Sequence, residues 1–188
     1  MFQEALTEIL SRLEAAQNRK LLQAYALIGG FAVSAWGVPR ATNDIDFVVA
    51  IGAADPRALA IFLGGRFEAG EADDPLRGVV HTSIQVGSTP VSIQLIFFPS
   101  AITEVAFRHV ETFSVLERMV PVVSWQALVL LKLYAGGPQD TLDAQQILQV
   151  RCPRPEDFKK IGEMAESLGI LEDWTTFLSL YQRKSSGL

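Results

Sequence analysis

Nineteen consecutive residues, Leu21 to Pro39, carry no charge, and the way this stretch is interrupted sets the frame for the rest of the chain. A membrane-spanning helix needs about 20 predominantly apolar residues, so length alone leaves the segment ambiguous. Its interruptions resolve the ambiguity. Gln23, Ser34, the pair Gly29-Gly30 and Gly37 divide it into an apolar strand ending at Ile28, a glycine turn and a short helix. That helix stops near Gly37-Val38-Pro39, because a proline holds the residue before it extended. No membrane span is expected.

Composition narrows the class. In 188 residues, 49% are hydrophobic and the net charge is −5, from 16 Lys and Arg against 21 Asp and Glu. A chain this apolar buries a core, whereas disordered chains pair low hydrophobicity with high net charge. An acidic balance without a Lys/Arg run argues against an extended DNA-binding surface. The single Cys152 forms no internal disulfide and has no second Cys with which to hold a metal. The first residues, Met1-Phe2-Gln3-Glu4, place an acid where a secretory signal needs positive charge. A cytoplasmic location is expected.

Periodicity gives the element order. Phe2, Ala5, Leu6, Ile9, Leu10 and Leu13 recur at helical spacing. Asn43 to Ala50 reads as a strand, and Asp55-Pro56 as a cap and first-turn proline opening a helix that Gly64-Gly65 stops. Gly78 to Val86 and Pro90 to Phe98, joined by Gly87-Ser88-Thr89, read as an antiparallel hairpin. A short helix from about Ala101 and an extended stretch from Thr112 to Val123 follow. Ser124 then caps a helix through Tyr134, and three more begin near Gln139, Pro155 and Leu171. The tail from Lys184 is expected to fray. The predicted fold is α+β: a mixed sheet flanked by helices over residues 1–120, with a helical region over 121–188 packed on it.

Chemistry concentrates in Ile28-Gly29-Gly30 and Asn43-Asp44-Ile45-Asp46. A glycine pair between a strand and a helix lets backbone N–H groups approach a phosphate, with the positive helix end behind them. On a strand Asp44 and Asp46 share a face, about 6.6 Å apart at roughly 3.3 Å per residue, while Ile45 and Phe47 point to the core. Two carboxylates on one face repel, and the usual reason to place them so is a cation. Oxygen ligands favour Mg²⁺ or Mn²⁺, and a glycine turn alongside points to ions that arrive with a triphosphate. The plainer reading makes Asp44 a turn residue and Asp46 an exposed strand end.

Gly29-Gly30 followed by Asp44-Ile45-Asp46 resembles the opening signature of the nucleotidyltransferase superfamily that includes DNA polymerase beta. The fuller pattern, with Trp36-Gly37 and Arg40-Ala41-Thr42, is similar to AbiEii-type and other members associated with toxin–antitoxin systems. Lys132, followed by Asp140 and Asp143, resembles that subgroup's helical motif, in which a lysine precedes an acid pair. The resemblance implies nucleotidyl transfer from a nucleoside triphosphate, assisted by two metal ions, to an RNA, protein or small-molecule acceptor. It further implies that Gly29 and Gly30 hold phosphate, that Asp44 and Asp46 ligate metal and act in catalysis, and that Arg40 and Lys132 meet the nucleotide. For Lys132 the alternative is a lysine that snorkels from an apolar helix.

The family's third carboxylate belongs on a downstream strand, and here the chain departs from the pattern. Along Val91 to Phe98 the polar residues are Ser92 and Gln94, and Gln94 stands where the aspartate is expected. A carboxamide oxygen can touch a hard cation but brings no charge and takes no proton. Asp73, Asp74 and Glu104 are the alternative sources of a third ligand. A protein of this kind either transfers nucleotides or survives as a degenerate binding module that acts through a partner protein. A glycosyltransferase also fits Asp-x-Asp, though the chain lacks a second nucleotide-binding half. His81 and His109 are isolated, and Trp36, Trp125 and Trp174 read as core. Asp140 and Asp143, three apart on a helix, share a face, as a cation site or with Asp140 as a cap.

Overall fold

The computed structural model describes residues 1–71 and 75–185. Among the described residues, eight helices surround one seven-stranded mixed sheet, α+β as expected, with strand order β3-β4-β5-β2-β1-β7-β6. The elements are α1 (Phe2–Asn18), β1 (Ala24–Ile28), α2 (Gly29–Ala35), β2 (Asp44–Ala50), α3 (Pro56–Phe62), β3 (Arg66–Ala69), β4 (Gly78–Val86) and β5 (Thr89–Phe97). They continue with α4 (Ser100–Arg108), β6 (Val110–Val115), β7 (Arg118–Val123), α5 (Trp125–Ala135), α6 (Pro138–Arg151), α7 (Pro155–Ser167) and α8 (Leu171–Ser185).

The middle of the sheet is its most apolar part. β2 lies antiparallel to β1 and parallel to β5, and β1 lies parallel to β7. Ile45, Phe47, Ile93, Leu95 and Leu27 are fully buried there, because strands with neighbours on both sides and helices against them have no wet face for those positions. Leu6, Ile9 and Leu13 of α1 are buried in the same core. None of the helices among the described residues is long and apolar enough to cross a membrane.

Two features of the sheet differ from the sequence reading. Arg66–Ala69 forms an edge strand, β3, paired with β4. Its mostly exposed, polar-flanked residues give no period-two signal of their own. The stretch expected to be one extended segment is a hairpin, β6 to β7, with Val115 paired to Arg118. Its turn residues Leu116 and Glu117 both hold positive φ, 48° and 64°. A two-residue turn of this kind normally announces itself by Asn-Gly, so Leu-Glu concealed it. The expected division between residues 120 and 121 falls inside β7, and the helical run begins at Trp125.

α5 is the axis of that helical run. Trp125 and Ala127 to Leu131 are all buried, which fits a helix enclosed on every side, and it packs on α4, α6, α7 and α8. The Ser124 side chain caps it, accepting from Ala127 N. Gly136 ends it in the left-handed region, with its N–H bonded to the Lys132 carbonyl. Trp36 is tied to the sheet by an Nε1–H bond to the Val123 carbonyl at 2.9 Å, and Trp174 packs with Phe158 and Phe177.

Candidate active site

The strand end carrying Asp44 and Asp46 opens onto a cavity of about 380 Å³ between the sheet and α5. Gly29, Asp44, Asp46 and Gln94 line it from the sheet, and Leu128, Leu131, Lys132 and Tyr134 line it from α5. Ile28, Ile96, Phe98, Pro75 and Leu76 supply further apolar wall, and Asp140 closes one side.

Register explains this convergence. Asp46 is paired with Ile28 on β1 and with Gln94 on β5, so the glycine turn that follows Ile28 begins beside Asp46. Gly29 has φ +66°, and a Cβ placed on it would lie 2.0 Å from Asp46 Oδ2. Only glycine lets the chain turn into α2 at that distance from the carboxylate. Gly30 plays another part. It is buried, outside the cavity wall, and a Cβ there would lie 2.7 Å from the Thr42 side chain. α2 itself is seven residues with no side-chain cap, so the close approach at Gly29 is the feature of this turn that faces the cavity.

Asp44 is held on both oxygens. Thr42 Oγ1 lies 2.9 Å from Oδ1, and Gln94 Nε2 donates to Oδ2 at 3.3 Å. Asp46 sits deeper. Burial, reinforced by the charge of Asp44 and only partly offset by Lys132, pushes its carboxyl up to about 7.

Lys132 is the single charge on α5, and it does not snorkel to solvent. Its Nζ lies 2.8 Å from Asp140 Oδ1 and 3.0 Å from Asp143 Oδ2, with 12% of the side chain exposed. Burial works against its charge, but the bonds to Asp140 and Asp143 prevail and raise its pKa. Asp143 is fully buried and also accepts from Arg40 Nε at 3.2 Å and Gln139 Nε2 at 2.9 Å.

Arg40, expected beside the nucleotide, does not line the cavity and is bonded to Asp143 and to the Ala41 carbonyl. The acid pair that read as a cation site or a cap is the counter-charge for Lys132 and Arg40. Sequence reasoning missed Asp143 in that role. The signal was present: a lone lysine on an apolar helix must find an acid, and two acids share one face of the next helix.

Of the alternative third ligands, Glu104 is exposed on α4 and does not line the cavity. Asp73 and Asp74 lie outside the described residues. Among the described residues no group of three or more His, Cys, Asp or Glu side chains gathers as a metal site. His81 Nε2 faces Glu68 at 3.7 Å, and His109 ends α4.

No family model matches the chain, and no curated protein matches it. Among solved structures, the antibiotic-resistance factor ANT(2'')-Ia in solution aligns with 96% of this chain over 92% of its own, at 19% identity and a TM-score of 0.47. ANT(2'')-Ia in complex with adenylyl-2''-tobramycin aligns with 93% of this chain and 97% of its own, at 20% identity and a TM-score of 0.49. An antigenic nucleotidyltransferase-like protein from Paracoccidioides brasiliensis aligns over 85% and 84%, at 18% identity and a TM-score of 0.48.

Proposed function

We propose that the protein is nucleotidyltransferase-like and binds a nucleoside triphosphate with Mg²⁺ or Mn²⁺ in this cavity, transferring a nucleotidyl group to an acceptor. The observation that carries the reading is the approach of Gly29 to Asp46. It brings a side-chain-free turn and a carboxylate pair to one wall, which is where a polyphosphate and its cation need to meet.

The residues fit a divalent ion. Two acidic groups share a face, Lys132 in the same wall is already committed to two other acids, and the available donors are oxygens, which suit Mg²⁺ or Mn²⁺. Asp44 and Asp46 would hold it. When bound, such an ion supplies charge neutralisation for the phosphates and orients them for in-line displacement.

The chain's own residues do the rest. Gly29 lets the turn into α2 lie directly against the Asp46 carboxylate, so its backbone borders the cavity in which the phosphates would sit. Thr42 and Gln94 fix the Asp44 carboxylate. Lys132 contributes positive charge to the wall while anchored by Asp140 and Asp143. Leu128, Leu131, Phe98 and Tyr134 offer an apolar surface on which a base or an apolar part of an acceptor can rest.

Incubating the protein with each labelled triphosphate and Mg²⁺ or Mn²⁺, in the presence of cell RNA and protein, tests the reading. Transfer that disappears in Asp44→Ala and Asp46→Ala is the expected result, and nucleotide binding unaffected by either change would overturn it. Gln94 favours a second reading, a degenerate nucleotide-binding module that works through a partner protein, as in a toxin–antitoxin pair. Retained nucleotide binding with no transfer under any condition supports that one.

A further inference from the structure

We infer that the protein holds a phosphoryl group, that of a phosphomonoester, in a second cavity at the start of α5, where Arg108, His109 and Lys160 converge. The inference is independent of the nucleotide reading.

This cavity, of about 260 Å³, shares no lining residue with the one that holds Asp44 and Asp46. Arg108 and His109 line it from the end of α4, Ser124 and Gln126 from the start of α5, and Lys160 and Glu163 from α7. Along α5, Ser124 and Lys132 are separated by about 12 Å, at roughly 1.5 Å per residue. The two cavities sit at opposite ends of that helix.

Charge sets the second cavity apart. The chain carries a net charge of −5, yet here, among the described residues, three basic side chains meet one acid. A local reversal of sign attracts an anion. The acid, Glu163, lies 3.9 Å from Lys159 on the same helix.

Uncharged donors add to the cations. Ser124 is only 6% exposed, and its Oγ accepts from Ala127 N, so the hydroxyl hydrogen is left to donate. Its own N–H bonds the His109 carbonyl at 3.0 Å, which ties His109 to the helix start. His109 offers an N–H in either protonation state. The amide of Gln126 stands in the first turn of an eleven-residue helix, with no helix carbonyl ahead of it, and the positive end of that helix favours an anion. Donors from three helices suit the tetrahedral oxygens of a phosphoryl group, and Arg108 supplies the forked guanidinium that phosphate favours. Val105 and Met164, both buried, give the carbon side of an ester an apolar floor.

Titrating ¹⁵N-labelled protein with ribose 5-phosphate, and separately with inorganic phosphate, at constant ionic strength in chloride, follows the Gln126 and His109 amides directly. Saturable shifts at both are expected, with ribose 5-phosphate the tighter ligand. Arg108→Gln with Lys160→Gln should weaken it about tenfold or more. Glu163→Gln should tighten it about threefold, a gain that a merely structural effect does not produce. Both cations are exposed, and thermal melting checks the fold of each variant; Lys160→Gln alone replaces the double variant should that one not melt cooperatively. No saturable shift, or an affinity unchanged in the folded charge variants, would overturn the inference. Equal affinity for inorganic phosphate would overturn the ester and leave a site for free phosphate.

Discussion

Gly29 and Asp46 approach so closely that a Cβ on the glycine would lie 2.0 Å from the carboxylate oxygen. Gly29→Ala therefore meets two penalties at once. The left-handed backbone costs about 1–2 kcal/mol for a residue with a Cβ, and the added methyl displaces Asp46 from the cavity wall. Loss of Mn²⁺ and nucleotide binding, in a protein that still melts cooperatively a few degrees lower, is the expected outcome. Calorimetric titration and thermal melting measure the two effects separately.

Asp143 holds two cations from different parts of the chain, Arg40 ahead of β2 and Lys132 on α5. Replacing it by leucine leaves Arg40 without its acid and Lys132 with Asp140 alone, which costs about 3 kcal/mol, the low end for broken buried pairs. Asp143→Asn retains an acceptor but no charge, and falls between the parent and Asp143→Leu. Urea unfolding of the three proteins gives the order.

Asp46 makes the ion-free protein less stable as pH rises. Burial holds its carboxyl up at about 7 in the fold, against the ordinary 3.8 of a free aspartate. Between those values the folded state holds a proton that the unfolded state has released. Stability is then greatest below about 4 as far as this group is concerned, and it declines on the order of 1 kcal/mol per pH unit until the folded group ionises near 7. Asp46→Asn should flatten that decline in melting experiments from pH 5 to 7. If the slope is unchanged in Asp46→Asn, its source lies elsewhere. Divalent-ion affinity in the parent should rise over the same range, because the ion competes with the proton.

Leu116 and Glu117 form the β6–β7 turn with positive φ at both positions, a conformation that costs non-glycine residues about 1–2 kcal/mol each. Leu116→Asn with Glu117→Gly should raise stability by about 1 kcal/mol, less whatever the exposed Gln3–Glu117 bond contributes. Chemical denaturation of the double variant checks this, and a lower midpoint would mean that the hairpin gains more from Glu117 than its turn geometry loses.

Legibility followed how local each determinant was. The strand–glycine–helix junction at Ile28-Gly29-Gly30 was readable because turn chemistry and apolar spacing are properties of adjacent residues. The same holds for the alternation that put Asp44 and Asp46 on one face and Ile45 and Phe47 in the core. The Gly87 hairpin was readable for that reason too, whereas the Leu116-Glu117 turn was not, since its residue types carry no preference for positive φ. Gln94 could be picked out on its strand by alternation. That it pairs with Asp46 and bonds Asp44 depends on β5 lying beside β2, a neighbour fifty residues away in the chain.

The sequence by itself determined the class of fold, the positions of its central strands and the pair of acids that face one way, because periodicity and turn preference act over a few residues. Tertiary structure alone decided the fate of the charges. Arg40, expected at the nucleotide, is drawn to Asp143 across 103 positions of sequence. Lys132, expected to be free for phosphate or solvent, is bound by two acids of the next helix. A charge leaving water accepts the best-placed opposite charge the packing offers, and that placement exists only once sheet and helices have come together.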